Sequence, residues 1–270
     1  MTELEFPRAN VLGVGVHAIN MEQAVDYLLD IVARRQRGYV CVTGVHGVME
    51  AQHNPRFRRV LNESLLTTPD GMPTVWVGKI EGYRQMGRIF GPDLMLNICR
   101  ESVKRGFTHF LYGGGPGIAE QLKQNLEAKF PGIKIVGTCT PPYHPLHFDE
   151  HCELCEQVSI VKPDIFWVGL STPKQERFMA DYFDRLDTRL MVGVGAAFDF
   201  HTGRMADAPD WVKSAGMQWA HRLMQDPGRL WRRYLVNNPK FLVAIAAQLL
   251  GLHHYQLPTK CKPIITQKTA

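Results

Sequence analysis

The chain of 270 residues has no apolar run of the ~18–20 residues needed to cross a bilayer. Its opening, MTELEFPRANVLG, lacks the basic stretch and apolar run of a secretory signal, so a cytoplasmic protein is expected. No glycine-rich segment ends in Lys-Ser or Lys-Thr, which removes the P-loop, and none reads G-x-G-x-x-G. Cysteine is sparse and scattered (Cys41, Cys99, Cys139, Cys152, Cys155, Cys261), as for free thiols in a reducing compartment. Cys152 and Cys155 form one C-x-x-C behind His144, His147 and His151. Strong zinc signatures carry a second pair, so a helix capped by Asp149 with cysteines on its apolar face is the plainer reading.

Acidic residues are nearly missing from one region. Residues 211–255 hold Lys213, Arg222, Arg229, Arg232, Arg233 and Lys240 against Asp226 alone, and the tail adds Lys260, Lys262 and Lys268. With a whole-chain charge of +5, residues 1–210 are net acidic. An anionic partner should meet the C-terminal end: a membrane surface, a diphosphate or a nucleic acid.

What is present is an alternation. Short strand-like segments (NVLGVGV, YVCVTGV, SLLTT, THFLYGG, IKIVGT, DIFWVGL, RLMVGVG) are separated by segments of helical spacing. That order predicts βαβ units and a mostly parallel, doubly wound sheet flanked by helices. After about residue 205 the pattern becomes short helices in series. Asp226-Pro227 and Asn238-Pro239 each read as an N-cap followed by proline at the first helical position. The expected organisation is a core over 1–207, a basic, aromatic helical appendage over 208–255 and a flexible tail over 256–270.

Ligands of open parallel sheets bind beyond the carboxyl ends of the strands. Polar or glycine-rich segments fall at five such ends: Thr43-Gly44, Asp70-Gly71, Gly113 to Gly117, Gly169 to Gln175 and Gly193 to Asp199. They suggest one shared crevice. Asp70 can be a general base or an N-cap for the next helix. The turn GGGPG can cradle a diphosphate or simply be tight. Arg88 can clamp an anion or pair on the surface. Gln175 can both donate and accept, which suits a sugar or base. Asp199, between two phenylalanines, is a buried cap or a hydroxyl reader. In the appendage, arginines interleave with Trp219, Trp231 and Tyr234, a composition suited to a diphosphate and a membrane interface.

Taken in order, TTPDGMPTVW, GRIFGPDLM, FLYGGGPGIAE, DIFWVGLSTPKQE, GVGAAFDFHTGRMADAP and WAHRLMQDPGRLWRRYL resemble the WecG/TagA/CpsF family of bacterial glycosyltransferases. The resemblance implies a Rossmann-like core with a C-terminal appendage. It implies inverting transfer of N-acetylmannosamine, its uronate or a related hexose from a UDP-sugar to a polyprenyl-diphosphate-linked saccharide. The products would be cell-envelope polymers such as teichoic acid linkage units or exopolysaccharides. Carried over by motif, Asp70 is the base. Thr43, Gln175 and Asp199 lie on the donor side, where Gly113 and Gly114 of the glycine turn and Tyr143 are further candidates. Arg88, Arg222, Arg229 and Arg232 hold the acceptor diphosphate. Many members have T-x-N or T-N where this chain has Thr43-Gly44-Val45, a departure that bears on the acceptor or donor sugar. No metal or other cofactor is expected, in keeping with the lack of a D-x-D carboxylate pair. The expected partners are the two substrates and the inner, cytoplasmic membrane face, with no nucleic acid, and a homo-oligomer is left open. The rival reading, a dinucleotide-dependent oxidoreductase, would need an acid at the end of the strand after the glycine turn, and IKIVGTCTPPYH has none.

Overall fold

The computed structural model describes residues 6–214 and 216–258, without the side chains of Asp210, Ser214 and Arg229. The three tail lysines and Cys261 lie outside the described residues. The chain opens with a hairpin of β1 (Arg8–Val11) and β2 (Val14–His17), followed by α1 (Met21–Ala33). NVLGVGV, expected as one strand of the alternating series, therefore folds back on itself. Leu12 and Gly13 take positive φ angles of 52° and 79°, and the Gly13 N–H donates to Asn10 Oδ1 at 2.9 Å. Two consecutive left-handed residues make the tight hairpin turn that a strand reading overlooks.

The alternation then proceeds as expected. It runs through β3 (Gly38–Thr43), α2 (Val45–His53), α3 (Pro55–Glu63), β4 (Leu66–Pro69), α4 (Met72–Ile80) and α5 (Gly91–Arg105). It continues with β5 (Thr108–Gly113), α6 (Ile118–Lys129), β6 (Lys134–Cys139), α7 (Phe148–Val161) and β7 (Ile165–Gly169). The core closes with α8 (Lys174–Tyr182), β8 (Leu190–Gly193) and α9 (Ala197–His201). The six strands from β3 to β8 form one parallel sheet in the order β4-β3-β8-β7-β5-β6. This is the α/β, Rossmann-like architecture. Its strands are apolar because both faces are covered: β3 is buried along its whole length, and Phe166, Trp167 and Val168 of β7 are fully buried.

The strand order runs in opposite directions from the β3–β8 pair, outward to β4 on one side and through β7, β5 and β6 on the other. A crevice opens at such a switch point, and the polar strand ends meet there.

Two local expectations change. The N-cap of α7 is His147, whose N–H donates to Glu150 Oε2 at 2.8 Å, so Asp149 sits inside the first turn and does not cap it. The second Asn-Pro signature does not restart a helix. After α10 (Asp210–Ser214) and α11 (Gln218–Gln225), α12 (Pro227–Trp231) runs through a π-helical turn (Arg232–Val236) straight into α13 (Asn237–Leu249). Pro239 lacks an N–H but falls just past the widened turn, where the ordinary hydrogen-bond ladder is already interrupted.

The appendage is tied to the core. Phe241 and Ile245 of α13 are buried with residues of the hairpin, α2 and α3. Gln248 accepts from the Leu12 N–H at 2.9 Å and donates to the Asn10 carbonyl at 2.6 Å. These contacts place α13 across the α2 side of the sheet and hold the basic helices over the crevice mouth.

Candidate functional site

Asp70 follows β4 directly. Its backbone N–H donates to the Thr43 carbonyl at 3.0 Å, locking the ends of β3 and β4 together. The N-cap of α4 is Gly71, without a side-chain cap, so the Asp70 carboxylate does not serve the helix. Its Oδ1 is buried and finds no hydrogen-bond partner among the described residues. A Cβ built on Gly44 would stand 3.8 Å from Asp70 Oδ2, so the side chain faces the start of α2. No hydrogen bond among the described residues therefore claims Oδ1, and Asp70 lines the crevice.

Opposite Asp70 stands the polar face of α8. Gln175 is buried; its Oε1 accepts from the Gly195 N–H at 2.9 Å and its Nε2 donates to Glu176 Oε1 at 3.0 Å. The Thr172 hydroxyl donates to the same Glu176 oxygen at 2.8 Å. Gly193 leaves room for this arrangement: a Cβ there would lie 2.8 Å from the Met179 terminal methyl and 3.1 Å from the Gln175 amide. Burial raises the Glu176 carboxyl above its usual range.

Two arginines descend from the appendage. Arg222 (α11) and Arg233 (π turn) line the small space beside Asp70 and Gln175. Together with His46, Ser171, Thr172, Leu230, Arg232, Val236 and Asn237 they also line an adjoining cavity of about 630 Å³. Each arginine has a buried Nε with no hydrogen-bond partner among the described residues. Burial lowers the Arg233 guanidinium, and the neighbouring Arg222 charge adds to this, while Tyr234, Asp70 and Glu176 oppose it. Two desolvated like charges with unmet donors form a site that wants an anion. His46 Nδ1 lies 3.2 Å from the Asn237 amide nitrogen. Burial and then the Arg233 charge push His46 down to about 4, so its ring is neutral.

The remaining expected residues are distributed as follows. Thr43 is buried at the end of β3, with its methyl group against Gly47. Arg88 donates from Nε to the Asp70 carbonyl at 2.7 Å and from its other end to Gln218 of α11, and it lies over the Phe90 ring. It braces the Asp70 strand end against the appendage. Arg232 is exposed at the cavity rim over Trp231, and the Arg229 side chain lies outside the described residues.

The glycine turn is tight for packing reasons: a Cβ on Gly113 would meet the Gly169 carbonyl at 2.6 Å, and the Gly114 N–H already donates to that oxygen. A Cβ on Gly115 would be 3.4 Å from the Tyr143 hydroxyl and 3.6 Å from Arg204 Nη1, so Tyr143 and Arg204 flank this turn. Asp199 lies on α9 between buried Phe198 and half-buried Phe200, and its carbonyl accepts from the Arg204 N–H. At the C-x-x-C, Cys152 is exposed and Cys155 leans on His151; among the described residues no cluster of three or more His, Cys, Asp or Glu is arranged to hold a metal ion.

Arg233, Glu176, His46 and Arg204 enter the site without having been singled out. Arg233 belongs to the basic series Arg229, Arg232 and Arg233, which share one helix face, and only the packing of the appendage against the core shows that Arg233 reaches the space beside Asp70 while Arg232 stays at the rim. Glu176 was visible in PKQE, but nothing in the local sequence marks a carboxyl as buried.

The family model described as "Glycosyl transferase WecG/TagA/CpsF family" matches residues 9–255. Two similar proteins carry the name N-acetylglucosaminyldiphosphoundecaprenol N-acetyl-beta-D-mannosaminyltransferase. One, from Bacillus spizizenii, is 30% identical over 196 residues, covering 73% of this chain and 74% of its own. The other, from Bacillus subtilis, is 26% identical over 227 residues, covering 84% and 86%.

Proposed function

The chain belongs to the WecG/TagA/CpsF family of glycosyltransferases, and on that premise we propose that it moves N-acetylmannosamine, its uronate or a related hexose from a UDP-sugar onto a polyprenyl-diphosphate-linked saccharide. The observation that carries this reading is the unemployed Asp70 carboxylate beside two anion-seeking arginines. The names of the Bacillus relatives, with an N-acetylglucosaminyl diphosphoundecaprenol acceptor, support the same substrate class.

In this reading the acceptor enters the cavity between core and appendage, its diphosphate against Arg222 and Arg233 with Arg232 at the rim. The acceptor hydroxyl then meets Asp70, which takes its proton as the oxygen attacks the anomeric carbon in line, inverting it. The donor lies across the β5, β7 and β8 ends, with Gln175, Asp199, Tyr143 and Arg204 beside it. The charge growing on the departing UDP is met by backbone N–H groups and guanidinium groups, so we assign the route no metal ion.

We also place the enzyme on the cytoplasmic membrane face. Among the described residues no helix is long and apolar enough to cross a membrane. The appendage, however, exposes Met224, Trp231, Leu235, Leu242, Val243 and Leu250 among its basic residues. Such a surface suits shallow insertion beside anionic headgroups.

The test is Asp70→Asn, assayed by UDP release with a polyprenyl-diphosphate saccharide acceptor. Loss of a general base should lower turnover by about 100-fold or more, with the fold intact. Near-normal turnover would remove Asp70 from the chemistry.

A further inference from the structure

Glu176 is fully buried in the first turn of α8. One of its oxygens, Oε1, accepts both the Thr172 hydroxyl and the Gln175 amide. The other, Oε2, is buried with no hydrogen-bond partner among the described residues. Gln175 in turn holds the Gly195 N–H, so one carboxyl group governs a chain running from the β7 end through α8 to the β8 end. Thr172, Gln175 and Gly195 all line the crevice facing Asp70.

We propose that Glu176 is a positioning residue for glycosyl transfer that works as a neutral carboxylic acid, fixing the Gln175 amide and the Thr172 hydroxyl in the orientation the crevice needs. An ionised carboxylate in this place would bring no N–H donor to its second oxygen, and leaving a buried charge half satisfied is costly. A neutral acid keeps Oε1 as the double acceptor and leaves an O–H on Oε2. The Gly195 N–H needs the Gln175 oxygen and Glu176 Oε1 needs its nitrogen, so the amide has one orientation. If Glu176 is removed, the amide can rotate, and the polar face opposite Asp70 loses its order. Burial holds this carboxyl above its usual range and so favours the neutral form, against the hydrogen bonds from Thr172 and Gln175 and the nearby Arg233 charge, which act the other way.

The inference rests on the crevice being the transfer site, so Asp70→Asn is assayed beside it. The neutral form makes an unusual demand: Glu176→Gln, which carries an acceptor and an N–H in the same places, should keep turnover within about threefold of the parent enzyme. Glu176→Met, of similar volume but with no acceptor, should lower kcat by about 10- to 100-fold, as expected for losing the order of a site group. KM for the acceptor should move less than threefold, because the arginines remain. Melting curves of both variants show whether the fold survives. If Glu176→Gln loses as much turnover as Glu176→Met, the carboxylate charge is what matters and the proposal is overturned. If Glu176→Met keeps its kcat while Asp70→Asn loses it, Glu176 has no positioning role although the crevice reading stands. Normal turnover in Asp70→Asn would instead overturn the reading of the crevice.

Discussion

Replacing Arg233 with methionine separates binding from stability. Its guanidinium lines both the space beside Asp70 and the larger cavity, and its Nε is buried with no hydrogen-bond partner among the described residues. In the empty enzyme it therefore holds a desolvated charge next to a second one on Arg222, which burial and that neighbour both disfavour. Methionine keeps the apolar stem and removes the charge. Melting temperature without substrates should stay level or rise, because the fold sheds an unfavourable charge. With an acceptor diphosphate present, the same guanidinium would make charge-assisted hydrogen bonds worth about 1.5–3 kcal/mol. Their loss corresponds to a fall of about 10- to 150-fold in kcat/KM for the acceptor. KM for the nucleotide-sugar should change little. The assay is initial-rate kinetics with each substrate varied in turn, beside thermal melts of the free protein. A parallel fall in melting temperature and activity would show that Arg233 is a structural cation, and unchanged acceptor kinetics would show that the diphosphate lies elsewhere.

His109 is fully buried, accepts from Trp167 Nε1 at 3.1 Å, and is pushed by burial down to about 4. A folded-state value below the unfolded 6.5 means its stability contribution is present above pH 6.5 and is lost as pH falls towards 4. Urea melts at pH 7.5 and pH 5 should show His109→Gln losing about 2 kcal/mol less than the parent chain, and equal losses would refute the neutral ring. At the membrane face, Leu242→Asp with Val243→Asp changes two exposed positions of α13. Cosedimentation with anionic vesicles should fall several-fold with an unchanged melt, and unaltered binding would move the membrane contact elsewhere. Turnover after exhaustive EDTA treatment should equal that of the untreated enzyme; a loss restored by a divalent cation would defeat the metal-free route.

Much of the architecture is legible in the amino-acid sequence. Apolar β-branched strands alternating with amphipathic helices specify a parallel sheet, because only a sheet covered on both faces needs such strands. The polar and glycine-rich segments at strand ends located the crevice for the same reason. What local reading could not resolve was the competition between equal local solutions. Asp70 had the chemistry of a cap and of a base, and only the cap-free geometry at Gly71 shows the carboxylate unclaimed by the helix. Leu12-Gly13 could continue a strand or reverse it, and the hairpin gains the Thr67 N–H to His17 Nδ1 bond at 2.9 Å, which covers the outer edge of β4.

By itself, the sequence determined the α/β class, the alternation of strands and helices from β3 to α9, the family and the presence of a basic C-terminal surface, since these follow from periodicity, composition and ordered motifs along the chain. The tertiary structure decided which charges share a cavity. The packing that sets Arg233 beside Arg222 and Asp70, the burial that raises the Glu176 carboxyl and the bonds from Gln248 to the hairpin all join residues far apart in the chain. Desolvation and hydrogen-bond satisfaction are properties of such assembled surroundings, and no window of sequence contains them.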